Sequence, residues 1–154
     1  NGKDLNITLS HALSRLKVNI TYGTVAGSAT VDYIQINDLY VLYKNGIKTA
    51  NTLSEVAVPT GSKMGQIMHL ESVPEDGYDM SAMAYVIPQT ISNFVMSFDL
   101  SNGKTLNYTA PSSVTFEAGK SYTLNVQVGQ DLVVAGAITA SPWESVDAGM
   151  LETE

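Results

Sequence analysis

The chain carries two histidines, His11 and His69, and no cysteine. Disulfides, thiol catalysis and thiolate metal sites are therefore excluded together. The two imidazoles lie far apart in sequence and lack the spacing that sets a pair on one zinc ion. His11 shares the parity of Leu9 and Leu13, which reads as a hydrogen-bonded, largely buried structural histidine. Ser10 stands beside it, but successive strand residues point to opposite faces, so the two make no nucleophile and base pair. Glu75, Asp76 and Asp79 around Gly77 offer oxygen ligands of the kind calcium takes, yet without the alternating ligand order of a calcium loop. A solvated acidic turn is the favoured reading. The sequence shows no nucleophile elbow, phosphate-binding glycine loop or H-E-x-x-H motif. No catalytic, cofactor-binding or metal-ligating residue is assigned, no cofactor is expected, and the chain reads as a non-enzyme.

Asn6-Ile-Thr8, Asn19-Ile-Thr21 and Asn107-Tyr-Thr109 match the N-glycosylation pattern, but all three fall within predicted strands and read as β-pattern residues. Trp143, the single tryptophan, follows Pro142 just after the last predicted strand. Sealing one end of the fold is favoured for it over an exposed platform for a sugar ring.

These residues must be positioned by strands. Leu5, Ile7, Leu9, His11 and Leu13 share one parity, and Leu16, Val18, Ile20 and Tyr22 the other. That switch predicts a bulge or bend near Ser14-Arg15. Val31 to Ile36 and Leu39 to Tyr43 read as two strands, the second entering a hairpin at Asn45-Gly46. Residues 51 to 77 are punctuated by Pro59, Gly61, Gly65, Pro74 and Gly77, with a short strand expected around Gln66 to Leu70. Met80 to Ile87 is apolar on both parities, as in a strand covered on both faces.

Phe94, Met96, Phe98 and Leu100 alternate, as do Leu106 and Tyr108 beyond Ser101-Asn102-Gly103. A two-residue loop would split this apolar set across two faces. A three-residue loop with Gly103 at positive φ pairs Phe98 with Leu106 and Met96 with Tyr108, and is preferred. The same arithmetic sets Tyr122, Leu124, Val126 and Val128 against Leu132, Val134, Gly136 and Ile138 across Gly129-Gln130-Asp131. About seven to nine short antiparallel strands predict an all-β, two-sheet β-sandwich. Residues 1–146 read as one domain and Asp147 to Glu154 as a solvated acidic tail. Asn1 stands close to an apparent strand, so a longer precursor is expected.

Composition agrees. The hydrophobic fraction of 44% is that of a globular protein, whereas the charged fraction of 15% is low. Ser, Thr, Asn and Gly take the place of charge, as in many β-rich surface proteins. A net charge of −7 with eight scattered basic residues argues against nucleic acid and against docking on anionic lipid. No run approaches the length of a membrane-spanning helix, so this domain is not expected to insert into a membrane.

Several segments resemble the fimbrillin family of Bacteroides and its relatives. Ser10-His11-Ala12-Leu13-Ser14-Arg15-Leu16 is similar to the family's opening strand, and Val86-Ile87-Pro88-Gln89-Thr90 to its "P-Q" segment. Phe116-Glu117-Ala118-Gly119-Lys120-Ser121-Tyr122, followed by Ile138 and Pro142-Trp143, is similar to its ending. The resemblance implies a C-terminal, transthyretin-like sandwich domain of an exported lipoprotein, associated with the outer membrane or carried in fimbriae on the cell surface. It also implies other fimbrial subunits as partners, with host proteins or glycans as further ligands. Polymerisation in such families adds a donated strand to a neighbour's sheet. The groove for it is expected beside Leu5 to Leu13, and Glu144 to Glu154 is a weaker donor. A carbohydrate-binding surface module is the alternative, and it predicts several exposed aromatics on one face.

Overall fold

The computed structural model describes residues 11–23, 29–45, 57–131 and 133–143. Within them lie twelve strands: β1 (Ser14–Tyr22), β2 (Val31–Asn45), β3 (Ala57–Ile67), β4 (His69–Leu70), β5 (Met80–Val86), β6 (Gln89–Ile91), β7 (Val95–Leu100), β8 (Thr105–Thr109), β9 (Val114–Phe116), β10 (Lys120–Val128), β11 (Val133–Ala135) and β12 (Thr139–Pro142). They form three sheets. The first runs β11-β10-β1-β5-β4 with β12 also on β10, the second β3-β2-β7-β8, and the third is the pair β6-β9. The all-β class is as expected, but the strands are more numerous and grouped differently. One pairing also breaks the antiparallel rule, because β1 lies parallel to β10 with Leu16 opposite Tyr122 and Val18 opposite Leu124. Strands so distant in sequence need no tight turn, which is what allows the parallel arrangement.

The β1 parity holds. Leu16, Val18 and Ile20 are fully buried, while the chain bends at Ala12 and Leu13, slightly before the expected Ser14-Arg15. The upstream strand from Leu5 to Ser10, the candidate groove beside it, Asn6 and the tail after Trp143 lie outside the described residues. The β7–β8 hairpin is as expected: Phe98 faces Leu106 and Met96 faces Tyr108, Gly103 has φ 83°, and Leu100 N–H donates to Lys104 O at 2.8 Å.

Five expectations are corrected. The stretch read as two strands is the single strand β2, carried past Asn37 by a bulge in which Asp38 takes φ 57°. A tight turn at Asn45-Gly46 is ruled out, since Asn45 pairs with Ala57. Pro59, Gly61 and Gly65, read as breakers, sit inside β3. It is an edge strand, where a missing N–H is tolerated, and a second bulge uses Gly61 at φ 79°. Across β10–β11 the register is one residue off, because Val128 pairs with Val133. Val133 is therefore 7% exposed and Val134 55%. Strand β5 is covered fully on one face, where Ala82, Ala84 and Val86 are buried, and only in part on the other, where Ser81 is buried but Tyr85 is 50% exposed.

All three sheets contribute to one hydrophobic cluster. Phe116 anchors its centre, tilted against Phe94 at 5.7 Å and edge-on to Tyr122 at 4.9 Å between ring centroids. Each fully buried side chain of this size contributes about 1.5–3 kcal/mol. On the opposite face of the first sheet, Asn19 is also buried. Its Nδ2 donates to Asn125 Oδ1 at 3.1 Å and its Oδ1 accepts from Ser81 Oγ at 2.9 Å.

Candidate functional site

The residues singled out for chemistry turn out to be fasteners. His11 is half-buried and stacks on Trp143, with ring centroids 3.7 Å apart and planes 7° from parallel. Tyr85 lies 5.6 Å from the same indole at 14°, and the Arg15 guanidinium 5.3 Å from its centroid. Arg15 Nε also donates to Ser121 Oγ at 3.1 Å. Trp143 thus lies with Arg15 and Tyr85 on the face of the first sheet turned away from the core, rather than sealing an end. Its face against His11 is already taken up by stacking, which disfavours a free platform for a sugar ring.

The chain around the A-G-K turn explains how this cluster is held. Gly119 takes φ 71°. Its N–H donates to Leu13 O at 3.0 Å, and its carbonyl accepts from Trp143 N–H at 2.8 Å. One turn therefore clasps the segment leading into β1 to the segment leaving β12.

The P-Q segment acts in the same way. Gln89 Nε2 donates to Tyr40 O at 3.0 Å and to Ile87 O at 3.1 Å, while Gln89 Oε1 accepts from Tyr40 N–H at 3.0 Å. The side-chain amide replaces a peptide group, tying β6 to the main chain of β2 just past its bulge.

Two of the three carboxylates of the acidic turn are engaged within the fold, and Asp76 is exposed. Glu75 is bonded to Lys17 Nζ, which holds its carboxyl below the ordinary range. Asp79 Oδ2 accepts from Tyr22 N–H at 2.7 Å. His69 is exposed on β4, opposite Met83. Among the described residues no three His, Cys, Asp or Glu side chains are grouped to hold a metal. Asn107 is exposed, whereas Asn19 is only 5% exposed and its bonded amide is closed to modification.

Two features were missed by the sequence reading. First, Ala110 N–H donates to Phe94 O at 2.9 Å and Leu100 N–H to Lys104 O at 2.8 Å. These bonds mark the even-numbered residues of β8 as the positions paired with β7, so Thr105, Asn107 and Thr109 turn their main-chain groups away from β7, toward the side where β11 approaches. Second, a cavity of about 510 Å³ opens between the 110–113 turn and the kink from Ala135 to Ile138, where the chain passes from β11 to β12. Tyr108 and Tyr122 form part of its wall. Tyr108 is only 9% exposed, and burial pushes its phenol up.

The model of the family described as Fimbrillin-like matches residues 1–143. No curated protein matches the chain. Among solved structures the chain is similar to a candidate cell adhesion protein from Bacteroides uniformis, with TM-score 0.64 and 17% identity over 88% of this chain and 52% of that one. A second such protein, from Bacteroides ovatus, has TM-score 0.55 and 15% identity over 88% and 46%. The tip fimbrial protein Mfa3 from Porphyromonas gingivalis, with C-terminal truncation, has TM-score 0.53 and 12% identity over 90% and 54%. The chain spans about half the length of these structures. At such identities the likeness is one of fold.

Proposed function

The chain belongs to the fimbrillin-like family, and on that footing we propose that it is a non-enzymatic subunit of a bacterial fimbria or related adhesive structure. The family match over residues 1–143 carries the proposal. The motifs within it, Gln89 and the Gly119 turn, fasten the fold and do no chemistry of their own. The roles of the similar proteins, cell adhesion and a fimbrial tip, fit the same reading. Other fimbrial subunits are then the main partners, with host proteins or glycans as further ligands. Export to the cell surface and outer-membrane anchoring of a lipidated precursor complete the picture. The two large sheets are read as the faces of a transthyretin-like sandwich in a domain of residues 1–146, with 147–154 as an acidic tail.

Assembly through strand addition needs an open edge. The outer edge of β3 is blunted by Pro59, Lys63 and the Gly61 bulge, devices that discourage edge pairing. The outer edge of β8, the end strand of its sheet, presents Thr105, Asn107 and Thr109 without a proline, and is the favoured acceptor on condition that β11, which lies beside it, gives way to the incoming strand. The tail is the weaker donor, because Glu152 and Glu154 would be desolvated in any apolar groove.

The test is to express the full precursor in a fimbriated host as wild type, without residues 144–154, and as Thr109→Pro. Proline at 109 removes an outward N–H while leaving the pairs at 108 and 110 intact. Labelled antibody should find the wild type in surface fibres and the proline variant folded but excluded from them. Unchanged fibres in the tail deletion would remove the tail from the mechanism. Wild-type protein on the surface yet never in fibres would overturn the assembly reading.

A further inference from the structure

We propose that the cavity between the 110–113 turn and the β11–β12 kink is a binding site for a neutral carbohydrate of one or two rings. Its volume of about 510 Å³ falls within the range of about 300–1,000 Å³ typical of small-ligand sites. None of the described residues lining it is acidic, basic or a histidine. A charged ligand would lose hydration there without gaining a counter-ion, so the occupant is uncharged.

The polar side chains of the wall are hydroxyls, from Tyr108, Ser112, Ser113, Thr115 and Tyr122, of which Thr115 Oγ1 is already bonded to Thr90 Oγ1 at 3.0 Å. A hydroxyl both donates and accepts and rotates to suit its partner. Such a set matches a ligand whose own groups are hydroxyls better than one that only donates or only accepts. The two tyrosine hydroxyls differ. Tyr122 Oη already accepts from Glu117 N–H at 2.9 Å, whereas Tyr108 Oη has no hydrogen-bond partner among the described residues. Tyr108 is 9% exposed, and because no buried side-chain polar atom among the described residues lacks a partner, its unpaired hydroxyl is open to the water of the cavity, where a ligand hydroxyl can take that water's place. Ala110, Val114 and Ile138 supply the apolar patch on which the C–H face of a sugar ring would lie. The exposed aromatics Tyr33 and Tyr85 stand on different sheets. Recognition by a flat row of rings is therefore disfavoured, and a pocket takes its place.

The experiment titrates the isotopically labelled 154-residue chain with glucose, galactose, mannose, N-acetylglucosamine, lactose and maltose to about 50 mM, reading amide shifts by NMR, since unmatured sugar sites bind near the millimolar range. Glucuronate is the charged control. At least one neutral sugar should give saturable shifts centred on residues 108–115 and 135–138, with glucuronate weaker by about tenfold. Tyr108→Phe should weaken binding by about three- to tenfold. It should leave the urea midpoint unmoved, because the hydroxyl has no partner within the described fold. Ala137→Trp, at an exposed position of the wall, should abolish binding by filling the cavity. Absence of saturable shifts with every neutral sugar, shifts centred elsewhere, or undiminished binding by Ala137→Trp would each overturn the proposal. The measurement uses the isolated chain in solution, so its outcome is independent of whether the chain assembles into fibres.

Discussion

Replacing Gly103 isolates the contribution of one backbone angle to the β7–β8 hairpin. Gly103 has φ 83°, and a Cβ built there meets nothing within 4 Å. The penalty of any substitution is thus conformational, with no clash to confuse it. Holding an L-residue in the left-handed region costs about 1–2 kcal/mol. The stiffer unfolded chain offsets about 0.4–1 kcal/mol of that. Gly103→Ala should therefore cost somewhat under about 1 kcal/mol, and Gly103→Val about 1–2 kcal/mol because a β-branched side chain fits that region worst. Gly103→Asn should cost least, since Asn enters the region readily. For a domain of this size, with an m-value near 2 kcal/mol/M in urea, the valine variant should lower the midpoint by roughly 0.5–1 M at unchanged m. Equal midpoints for wild type and Gly103→Val, or an Asn variant as unstable as the Val variant, would refute the turn assignment.

Gln89→Leu should destabilise by about 1–3 kcal/mol in urea melts, because it strips both partners from the Tyr40 main chain in a half-buried setting. A double-mutant cycle on His11→Ala and Trp143→Ala should give a coupling of about 0.5–1.5 kcal/mol, the range expected of a stacked aromatic pair. The Glu75 carboxyl is lowered in the folded protein by the Lys17 hydrogen bond and charge. Its contribution is thus fully present above the ordinary value of 4.5 and lost as pH falls through the folded pKa. Acid titration of the urea midpoint should accordingly show a shallower fall below pH 4.5 in Glu75→Gln than in wild type; parallel curves would remove the pair from the acid response.

What the sequence determined by itself is what depends on neighbours along the chain. Alternation buried Leu16, Val18 and Ile20 on β1 and Phe94, Met96 and Phe98 around β7, because a strand must send every second side chain into the core. The β7–β8 register followed from three turn residues, the last of them Gly103 at positive φ, a local constraint too. Alternation failed where both parities are apolar. Val134 competes with Val133 for the inward face, and only the pairing of Val128 with Val133 decided between them. It also failed at β3, where Pro59 and Gly61 read as breakers until the strand proved to lie at an edge. The parallel pairing of β1 with β10, the bond from Gln89 to Tyr40 and the stack of His11 on Trp143 join residues far apart in the chain, and no local pattern names such partners. The candidate sugar site belongs to the same class. In sequence Tyr108 reads only as a core-facing strand residue, and Ser112 and Ala137 carry no signal; they share a cavity only because the folded sheets bring β8 and the β11–β12 kink together.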